Sequence, residues 1–423
     1  MKISVIGLGY VGLPLAIEFS KHYETIGYDI DQSRIDDLKK GNDLNDEVQN
    51  DDLKETQTLF TSNEEDLRDS NVYIITVPTP VDFENKPDLT LLKSASKTIG
   101  KMVCDQDIVI LESTVYPGTT EEICVPIIES ESGLKHINCN SKSKVENGFY
   151  SGYSPERINP GDKEMYLTKI KKITSGSTPF ISGVIDELYN VIIEAGTHKA
   201  SSIKVAEAAK IIENTQRDVN IALINEFSMI FDRMNIDTTE VIDAASTKWN
   251  FNRFSPGMVG GHCIGVDPYY LAHKSIELGH QPEMILSGRR INDNMPLYIA
   301  DKVISLMDIK GINVIGAKIL ILGLTFKENC NDIRNSKTFD LIKAFESRST
   351  QVDVYDPLLD PKDIPLNLID SPKSDHYDAV IITVGHNEFI EIGIDNISGF
   401  AKSDHVIFDV KSIFPVAKTD ARL

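Results

Sequence analysis

The residues best suited to chemistry are a cysteine and an aspartate in a glycine-rich segment. Cys263 and Asp267 lie four positions apart in Gly260-Gly-His-Cys-Ile-Gly-Val-Asp267. The three glycines predict a loop that can approach a ligand closely, because glycine has no side chain to hold a ligand away. A thiolate in such a loop can capture an aldehyde, and Asp267 can orient a water molecule or a base. A lone cysteine is, however, more often buried filler than a nucleophile.

A glycine fingerprint near the start supplies the second half of a possible reaction. Gly7-Leu-Gly9-Tyr-Val-Gly12 comes after a strand and opens a helix, and Asp29 stands at the end of the next strand. In that context Gly7 permits a tight turn, Gly9 lets the backbone approach a pyrophosphate, and Gly12 allows close helix packing. Asp29 would bind ribose hydroxyls, which favours NAD over NADP. The two motifs together suggest hydride transfer from an alcohol to a nicotinamide cofactor, and then capture of the aldehyde by the thiolate.

Three further side chains are predicted to lie near the cofactor. Arg34 either weakens the preference for NAD or stacks on the adenine. Thr79 and Thr114 each come after a predicted strand, and ligands of such sheets bind outside the carboxyl ends of the strands. Both threonines are therefore candidates for the nicotinamide site, although hydroxyls at strand ends are often only caps.

Other candidates lie on a helix and in a loop. Lys210 and Asn214 are four positions apart, so they share one helical face and can polarise an oxygen together. The alternative is a solvated lysine and a capping or core asparagine. Glu156 lies in a loop broken by prolines and is a possible general base, although most loop glutamates are merely solvated. We expect His262 to pack or to contact substrate, because side chains adjacent in sequence seldom face each other.

The elements that must position these residues are strands alternating with helices. Predicted strands at residues 2–6, 25–28, 72–77 and 108–111 indicate a parallel sheet, and Tyr10–Ser20 is predicted to be helical. Residues 318–323, 352–356 and 379–384 resemble three of those strands. We therefore predict an α/β fold with two Rossmann-like doubly wound domains. The alternative is that buried strands simply share a composition.

The middle of the chain is predicted to be helical. Ser201–Asn235 contains neither glycine nor proline, and a second helix is expected to begin at Asp237-Thr-Thr-Glu240, which has a capping-box pattern. Gly133–Gly148 is interpreted as an exposed loop or irregular insertion. The predicted division is an N-terminal domain at residues 1–200, a helical middle at 201–300 and a C-terminal domain at 310–423.

Composition excludes several classes of protein. The chain has 423 residues and a net charge of −21, which argues against nucleic-acid binding. No secretory signal pattern or membrane-length apolar run is seen, no cysteine spacing suggests zinc, and the cysteines do not form a disulfide framework. These features predict a cytoplasmic protein without a metal. The cysteines other than Cys263 are expected to be structural; they are Cys104, Cys124, Cys139 and Cys330.

Over nearly its whole length the chain resembles the UDP-glucose/GDP-mannose dehydrogenase family. It is especially similar to the branch that oxidises UDP-N-acetylhexosamines, including the Vi-polysaccharide type. The motifs that carry the resemblance are Gly7-Leu-Gly-Tyr-Val-Gly-Leu-Pro14, Glu112-Ser-Thr-Val-Tyr-Pro-Gly118, Ser154-Pro-Glu-Arg157, Lys210-Ile-Ile-Glu-Asn214, Gly260-Gly-His-Cys-Ile-Gly-Val-Asp267 and Gly323-Leu-Thr-Phe-Lys-Glu328.

The resemblance implies a four-electron oxidation of a sugar C6 alcohol to a carboxylate with two NAD+ per turnover. Cys263 matches the nucleophile that forms a thiohemiacetal and then a thioester. Lys210, Asn214 and Asp267 match residues that hold water and stabilise the oxyanion. Glu156 matches a glutamate implicated in base chemistry.

The same resemblance implies three binding roles. Thr114 matches a threonine that positions the catalytic water, Lys327 a substrate-binding lysine, and Arg334 a residue that touches NAD. The loop at residues 251–260 is expected to line the sugar nucleotide. The cofactor-binding set is Gly7, Gly9, Tyr10, Val11, Gly12, Asp29, Arg34, Thr79, Thr114 and Arg334. The substrate-binding set is Glu156, Arg157, Asn159, Lys210, Asn214, Arg253, Gly260 and Lys327.

One departure from the UDP-glucose branch bears on the substrate. Pro160 stands where that branch has a second glutamate, which casts doubt on glucose. The implied activity is a UDP-N-acetylhexosamine 6-dehydrogenase for surface polysaccharide. In it the N-terminal domain binds NAD, the middle forms a homodimer and the C-terminal domain binds UDP. UDP-glucose or GDP-mannose oxidation, a two-electron hydroxyacid dehydrogenase and a sugar-nucleotide-binding regulator remain alternatives. The configuration at C4, gluco or galacto, stays open.

Overall fold

The computed structural model describes residues 1–43, 48, 50–139, 147–158, 166–261, 263–364 and 368–423. The chain divides into two compact units. The first contains Met1–Glu213 and Tyr269–His280, and the second contains Asn214–Pro268 and Gln281–Leu423.

The first unit is an α/β structure whose strands alternate with helices. Its strands are β1 (Lys2–Ile6), β2 (Glu24–Tyr28), β3 (Leu59–Thr61), β4 (Val72–Ile75), β5 (Ile108–Leu111), β6 (Lys135–His136), β7 (Gly148–Tyr153), β8 (Lys172–Gly176) and β9 (Thr197–Lys199). Its helices are α1 (Gly12–Ser20), α2 (Gln32–Lys39), α3 (Asn50–Glu55), α4 (Thr90–Met102), α5 (Val125–Ser132) and α6 (Pro179–Asn190).

The strand order of the first sheet is that of a doubly wound fold. Among the described residues the order is β3-β2-β1-β4-β5-β7-β8-β9, with β6 paired to β7. Strands β1 to β5 and β7 run parallel, so their carboxyl ends lie along one edge. The central strands are apolar because both faces are covered. Ile3, Val5, Ile74 and Ile110 pack with Phe19 of α1 in one buried cluster.

The second unit combines helices with a smaller parallel sheet. Its strands are β10 (Lys318–Leu322), β11 (Gln351–Tyr355), β12 (Tyr377–Ile382), β13 (Ala401–Asp409) and β14 (Ala421–Arg422), in the order β11-β10-β12-β13-β14. Its helices are α8 (Thr238–Ser246), α10 (Glu283–Ile309), α11 (Thr338–Glu346), α12 (Asn387–Ile392) and α13 (Ile394–Ser398). Helices α7 (Ile203–Arg233) and α9 (Asp267–Glu277) each contain residues of both units.

The predicted fold class is confirmed, with small shifts at the helix ends. The helix after the glycine turn begins at Gly12 rather than Tyr10, and the long helix spans Ile203–Arg233. The predicted helix start at Asp237 is also confirmed, because its carboxylate accepts a hydrogen bond from the amide of Glu240 at 2.9 Å.

Two expectations need correction. The first sheet is not wholly parallel, since β7 and β8 pair antiparallel at Gly152 and Gly176. The segment 133–148 is not wholly a loop, because β6 pairs parallel with β7. A two-residue strand is too short to leave an alternation pattern in the sequence. Residues 140–146 of that segment lie outside the described residues.

Candidate active site

The glycine turn between β1 and α1 has the backbone geometry that a pyrophosphate requires. Gly7 adopts a φ of +97°, and its amide donates to the carbonyl of Tyr28 at 2.8 Å. A Cβ on Gly12 would lie 1.8 Å from the Gly7 oxygen, so only glycine lets α1 start this close to the turn. A Cβ on Gly9 would meet nothing within 4 Å, so that face of the turn is open to a ligand. The turn therefore fits a dinucleotide at the N-terminus of α1.

The acidic residue of the fingerprint is fixed beside the turn. Asp29 comes directly after β2, and its Oδ2 accepts from the amide of Leu8 at 2.7 Å while its Oδ1 accepts from Asp31 at 3.0 Å. Arg34 donates from Nε to the carbonyl of Leu8 at 3.1 Å and pairs with Asp43 at 2.7 Å. The structure thus brings Asp29 and Arg34 together at the same loop. Tyr10 is half-buried there and Val11 is buried.

The two predicted threonines meet at the carboxyl edge of the first sheet. Thr79 donates from Oγ1 to the carbonyl of Thr114 at 2.6 Å, and both are half-buried. Ser113 donates to the carbonyl of Val77 at 2.6 Å and ties the ends of the same two loops. Tyr270 adds a hydrogen bond from its hydroxyl to the Thr79 carbonyl at 2.8 Å. The Thr79 hydroxyl therefore has a structural role, whatever it does to a ligand.

Glu156 is a buried carboxylate in the loop after β7. One of its oxygens accepts a hydrogen bond from the amide of Ile158, and the other lies 4.0 Å from the ammonium of Lys172. Arg157 points elsewhere, because its guanidinium pairs with Glu213 of α7 at 2.7 Å. Asn159 and Pro160, which carry the substrate-binding and substrate-selection predictions, lie outside the described residues.

Lys210 is buried on α7 together with Glu207 one turn earlier. The Glu207 carboxylate accepts from the amides of Gly118 and Thr120 at 2.5 and 2.9 Å, and from the Thr120 hydroxyl at 2.7 Å. Burial raises the pKa of Glu207 to about 7 despite these donors. This contact joins α7 to the loop that carries Thr114.

The thiol loop belongs to the second unit and leads directly into α9. Cys263 is half-buried, and its carbonyl accepts from the amides of Val266 and Asp267 at 3.1 and 2.8 Å. A Cβ on Gly260 would lie 2.7 Å from the carbonyl oxygen of Asn335, and one on Gly261 would lie 2.8 Å from the Phe326 ring. The glycines are therefore needed for packing against the segment 326–335.

Asp267 and Asn214 form the polar pair of this loop. The carboxamide of Asn214 donates from Nδ2 to Oδ2 of Asp267 at 2.5 Å, and Asp267 is buried. The same aspartate donates its amide to the Cys263 carbonyl. Three predicted catalytic residues are thus brought together by one turn and one helix. His262 lies outside the described residues.

The remaining predicted binding residues are spread over the second unit. Lys327 is half-buried, and its carbonyl accepts from the Thr325 hydroxyl at 3.0 Å. Arg334 is largely exposed and its guanidinium folds onto Asp332 at 2.7 Å. Arg253 instead pairs with Asp243 of α8 at 2.5 Å, so in this structure it does not join the other candidates.

The sequence analysis did not identify a buried hydrogen-bond network that links α7, α10 and Gly257. Asn225 of α7 binds both the amide and the carbonyl of Gly257, at 2.8 and 3.0 Å, and donates to Asn292 at 2.8 Å. Asn292 and Arg289 of α10 both donate to the Asp218 carboxylate, and burial raises the pKa of that carboxyl. The spacing of Asn214, Asp218 and Asn225 along one helical face was the available signal.

The other cysteines differ in their surroundings. Cys124 and Cys330 are buried, and burial raises the pKa of the Cys124 thiol to about 12. Cys104 and Cys139 are exposed, and their thiols donate to the carbonyls of Met102 at 3.6 Å and Ser177 at 3.4 Å. Within the described parts of the chain, no group of three or more His, Cys, Asp or Glu side chains is placed to hold a metal ion. No described helix has the length and apolar character to cross a bilayer.

Three family models match consecutive parts of the chain. The NAD-binding domain of the UDP-glucose/GDP-mannose dehydrogenase family matches residues 1–193, its central domain matches 204–294, and its UDP-binding domain matches 320–416.

Relatives match over the full length. A UDP-N-acetyl-D-glucosamine 6-dehydrogenase of Salmonella typhi is 54% identical, with 100% of this chain and 99% of that protein covered. A UDP-N-acetyl-D-glucosamine 6-dehydrogenase of Pseudomonas aeruginosa is 53% identical with the same coverage. The solved structure of a UDP-D-ManNAc dehydrogenase from Pyrococcus horikoshii aligns with a TM-score of 0.88 at 31% identity, covering 100% of this chain and 98% of that chain. The resemblance seen in the motifs is confirmed: the chain belongs to the UDP-glucose/GDP-mannose dehydrogenase family and is an NAD-dependent nucleotide-sugar dehydrogenase.

Proposed function

We propose that the chain oxidises the C6 hydroxyl of a UDP-N-acetylhexosamine, UDP-GlcNAc or UDP-GalNAc, to the UDP-N-acetylhexosaminuronate for surface polysaccharide. The substrate class is supported by the relatives at 54% and 53% identity, both of which are UDP-N-acetyl-D-glucosamine 6-dehydrogenases. The product keeps its UDP leaving group, so this oxidation comes before transfer of the sugar to an acceptor.

The observation that carries the mechanism is the arrangement around Cys263. Its carbonyl accepts from the amide of Asp267, whose carboxylate receives the Asn214 carboxamide at 2.5 Å. The half-buried Cys263 thus lies in a turn whose carbonyl accepts from the Asp267 amide, and the buried Asp267 carboxylate has Asn214 as a donor. This is the arrangement that covalent capture of an aldehyde needs, because the sulfur must reach a carbon and the new oxygen must be stabilised.

The N-terminal turn fits the cofactor. Gly7, Gly9 and Gly12 would hold the pyrophosphate at the N-terminus of α1, and Asp29 would bind the adenosine ribose. When bound, NAD+ accepts the hydride in each of the two oxidations. Arg34, Tyr10, Val11 and Arg334 complete the proposed cofactor set, and Thr79 and Thr114 would line the nicotinamide end.

In the first oxidation Glu156 takes the proton of the C6 hydroxyl as the hydride leaves, which yields the aldehyde. The Cys263 sulfur then bonds to the aldehyde carbon while its proton goes to the former carbonyl oxygen, giving a thiohemiacetal. Loss of a second hydride and the hydroxyl proton converts it to a thioester. Because the carbon stays bonded to Cys263, the aldehyde cannot escape between the two oxidations.

Hydrolysis completes the reaction. Lys210, Asn214 and Asp267 hold the water and stabilise the oxyanion, and Thr114 positions the water. The carbon–sulfur bond breaks and Cys263 recovers its proton. One alcohol, one water and two NAD+ give one carboxylate, two NADH and three protons, so atoms and charge balance.

We assign the remaining predicted roles to the parts of the chain. Residues 1–200 would bind NAD, 201–300 would mediate dimerisation and 310–423 would bind UDP. Lys327, Arg157, Asn159, Arg253 and Gly260 would contact the substrate. A homodimer is supported by an exposed apolar strip formed by Leu223, Phe227 and Ile230 of α7 and by Met234 directly after it. A monomeric mass in solution would contradict the dimer. The cytoplasmic location of the protein stays a prediction.

A substrate panel tests the proposed activity. NADH formation is measured with UDP-GlcNAc, UDP-GalNAc, UDP-glucose and GDP-mannose, and the amounts of NADH and uronate are compared at completion. We expect turnover with an N-acetylhexosamine substrate and two NADH per sugar. One NADH per sugar would contradict the four-electron scheme, and preference for UDP-glucose or GDP-mannose would contradict the substrate class.

Cys263→Ser tests the covalent scheme. We expect acid formation to fall by at least about 10³-fold, because the hydroxyl is a far weaker nucleophile than a thiolate. Cys139→Ser is the matched control, since Cys139 is exposed and has no proposed part in the site. Normal steady-state uronate production by Cys263→Ser would rule out the thioester route.

A further inference from the structure

A buried lysine lies between two buried carboxylates in the first unit. The Lys172 ammonium is 2.6 Å from Oε2 of Glu112 and 4.0 Å from Oε2 of Glu156. The side chains of Lys172, Glu112 and Glu156 are 3%, 0% and 6% exposed. Water therefore screens these charges only weakly, and the Lys172 ammonium interacts with both carboxylates.

The two carboxylates are bonded very differently. Glu112 receives Lys172 at one oxygen and the hydroxyl of Tyr189 at the other. Burial raises the pKa of Glu112, the Lys172 charge opposes that rise, and Glu156 adds to it. Glu112 is thus an anchored acid whose function is to hold the lysine.

One oxygen of Glu156 has no hydrogen-bond partner among the residues that the structure describes. Its first oxygen accepts from the amide of Ile158, whereas its buried Oε2 makes no hydrogen bond to any described residue. Leaving a buried carboxylate oxygen without a donor is energetically unfavourable. Because the loop of Glu156 comes after β7, at the carboxyl edge of the sheet, that oxygen is suited to receive a proton from a ligand.

We propose that Lys172 is a positioning residue: held by Glu112, it keeps the Glu156 carboxylate in place with its second oxygen available for the substrate proton. The inference rests on the proposed function, in which Glu156 is the base. At 4.0 Å the ammonium attracts the carboxylate without occupying its lone pair. A hydrogen bond at the shorter distance would stabilise the charge more but would also block the atom that must accept the proton.

The elements around the cluster define its charges. β5 leads into Glu112, β8 supplies Lys172, α6 supplies Tyr189, and the loop after β7 supplies Glu156. These are the ionisable groups that act on the buried Glu112 carboxyl. α1 contributes the uncharged ring of Phe19, 5.6 Å from the Tyr189 ring.

Arg157 is the nearest further charge along the chain. Its guanidinium is held by Glu213 of α7 at 2.7 Å and by the carbonyl of Lys171 at 2.7 Å. Arg157 is thus already paired, and Lys172 is a cation within 4.0 Å of Glu156.

The test compares pH profiles of kcat for three variants, measured by NADH formation with UDP-GlcNAc. Lys172→Met leaves two buried acids without a cation, so the acidic limb should move to higher pH by about one unit or more. Glu112→Gln removes the competing acid, so the same limb should move to lower pH. Lys172→Arg keeps the charge and should restore most of the wild-type profile.

Opposite shifts in Lys172→Met and Glu112→Gln would not arise from a purely structural role, which would lower kcat or stability without moving the limb. Profiles that keep the wild-type limb in both variants, or that move in the same direction, would overturn the inference. If Lys172→Met fails to fold in a thermal melt, the direction of the shift in Glu112→Gln alone decides.

Glu156→Gln separates this inference from the proposed function. Persistence of the acidic limb in that variant would show that Glu156 is not the base. The role of Glu156 in the proposed function and the positioning role of Lys172 would then fail together. Loss of the limb in Glu156→Gln, with an unmoved limb in Lys172→Met, would sink the positioning role alone.

Discussion

The turns after β1 and β10 are built alike and then diverge. Gly7 and Gly323 adopt φ values of +97° and +102°. Their amides donate to the carbonyls of Tyr28 and Tyr355 at 2.8 and 2.9 Å. The same local chemistry thus turns the chain at the carboxyl end of the first strand in both sheets.

The acidic partners also correspond. Asp29 accepts from the amide of Leu8 at 2.7 Å, and Asp356 accepts from the amide of Leu324 at the same distance. The echo between the two ends of the sequence therefore extends to individual hydrogen bonds. Convergence of strand composition alone does not explain such agreement.

Beyond the turns, the two regions differ in where the next helix starts and in how exposed the acid is. α1 begins at Gly12, directly after the first turn, whereas α11 begins only at Thr338. Asp29 remains half-buried and Asp356 is buried. The turn therefore sets the backbone, while the helix start and the exposure of the acid decide what can bind.

His386 seals the second turn. Its Nδ1 accepts from the amide of Asn329 at 3.0 Å, and its Nε2 lies 3.3 Å from the Asp356 carboxylate and 3.1 Å from the Thr325 hydroxyl. The carboxylate that would bind a ribose in the first turn is here bonded within the protein.

The largest effect is expected at Gly12, where α1 begins directly after the first turn. In Gly12→Ala the new Cβ would lie 1.8 Å from the Gly7 oxygen and 2.4 Å from Oγ1 of Thr76. We expect a loss of about 3 kcal/mol or more in the free energy of unfolding, together with loss of NAD binding. Urea denaturation and calorimetric titration with NAD+ measure the two.

Gly9→Ala is the matched control, because its Cβ would meet nothing within 4 Å. This variant should keep its stability yet bind NAD+ at least about tenfold more weakly, since the added methyl group lies where the pyrophosphate approaches. Equal stabilities for the two variants would show that the third glycine does not set the position of α1.

A smaller effect should separate the two acids. Asp356→Asn disturbs buried bonds to Leu324 and His386 and should lower the free energy of unfolding by about 2–3 kcal/mol, with NAD+ affinity unchanged. Asp29→Asn should lower stability by about 1 kcal/mol or less and weaken NAD+ binding at least about tenfold. Chemical denaturation and NAD+ titration of both variants measure these effects, and a reversed pattern would contradict the different roles of the two acids.

The remaining expected effect is a dependence of stability on pH. Burial alone would raise the pKa of Asp356, but hydrogen bonds from His386 and from backbone amides to its carboxylate lower it. The stability that this carboxylate gives the folded protein is therefore lost only as pH falls below the ordinary pKa of an aspartate. The Glu207 pKa is raised to about 7 by burial, so its folded form binds more protons and stability falls as pH rises from about 4.5 to 7.

Glu207→Gln should remove that slope. Between pH 5 and 7 the wild-type protein should lose on the order of 2 kcal/mol more stability than the variant, as measured by urea denaturation at both pH values. The difference between the two slopes is informative even if the variant is less stable overall. Parallel slopes would mean that Glu207 titrates normally in the folded protein.

The sequence predicted most of the features that depend on local pattern. The fingerprint, the Asp237 cap and the long helix can all be read from spacing within a few residues. The pair of Asn214 and Asp267 was suggested by residue type, but its hydrogen bond depends on a turn that brings the start of α9 to α7.

The rest depends on strand order and on single side-chain orientations. Lys172 meets Glu112 because β7 lies between β5 and β8, and β8 turned out to be antiparallel to β7. No sequence periodicity encodes that neighbourhood. Arg253 pairs with Asp243 in this structure, and sequence could not indicate this, because a long flexible side chain takes whichever carboxylate is near.

Residues 247–256 connect α8 to Gly257, whose amide and carbonyl are both bound by Asn225. Because this clasp uses only the main chain of a glycine, it places no demand on the side chains that precede it. The length and polarity of residues 247–256 can therefore change while the flanking helices stay anchored by the hydrogen bonds between Asn225 and Gly257.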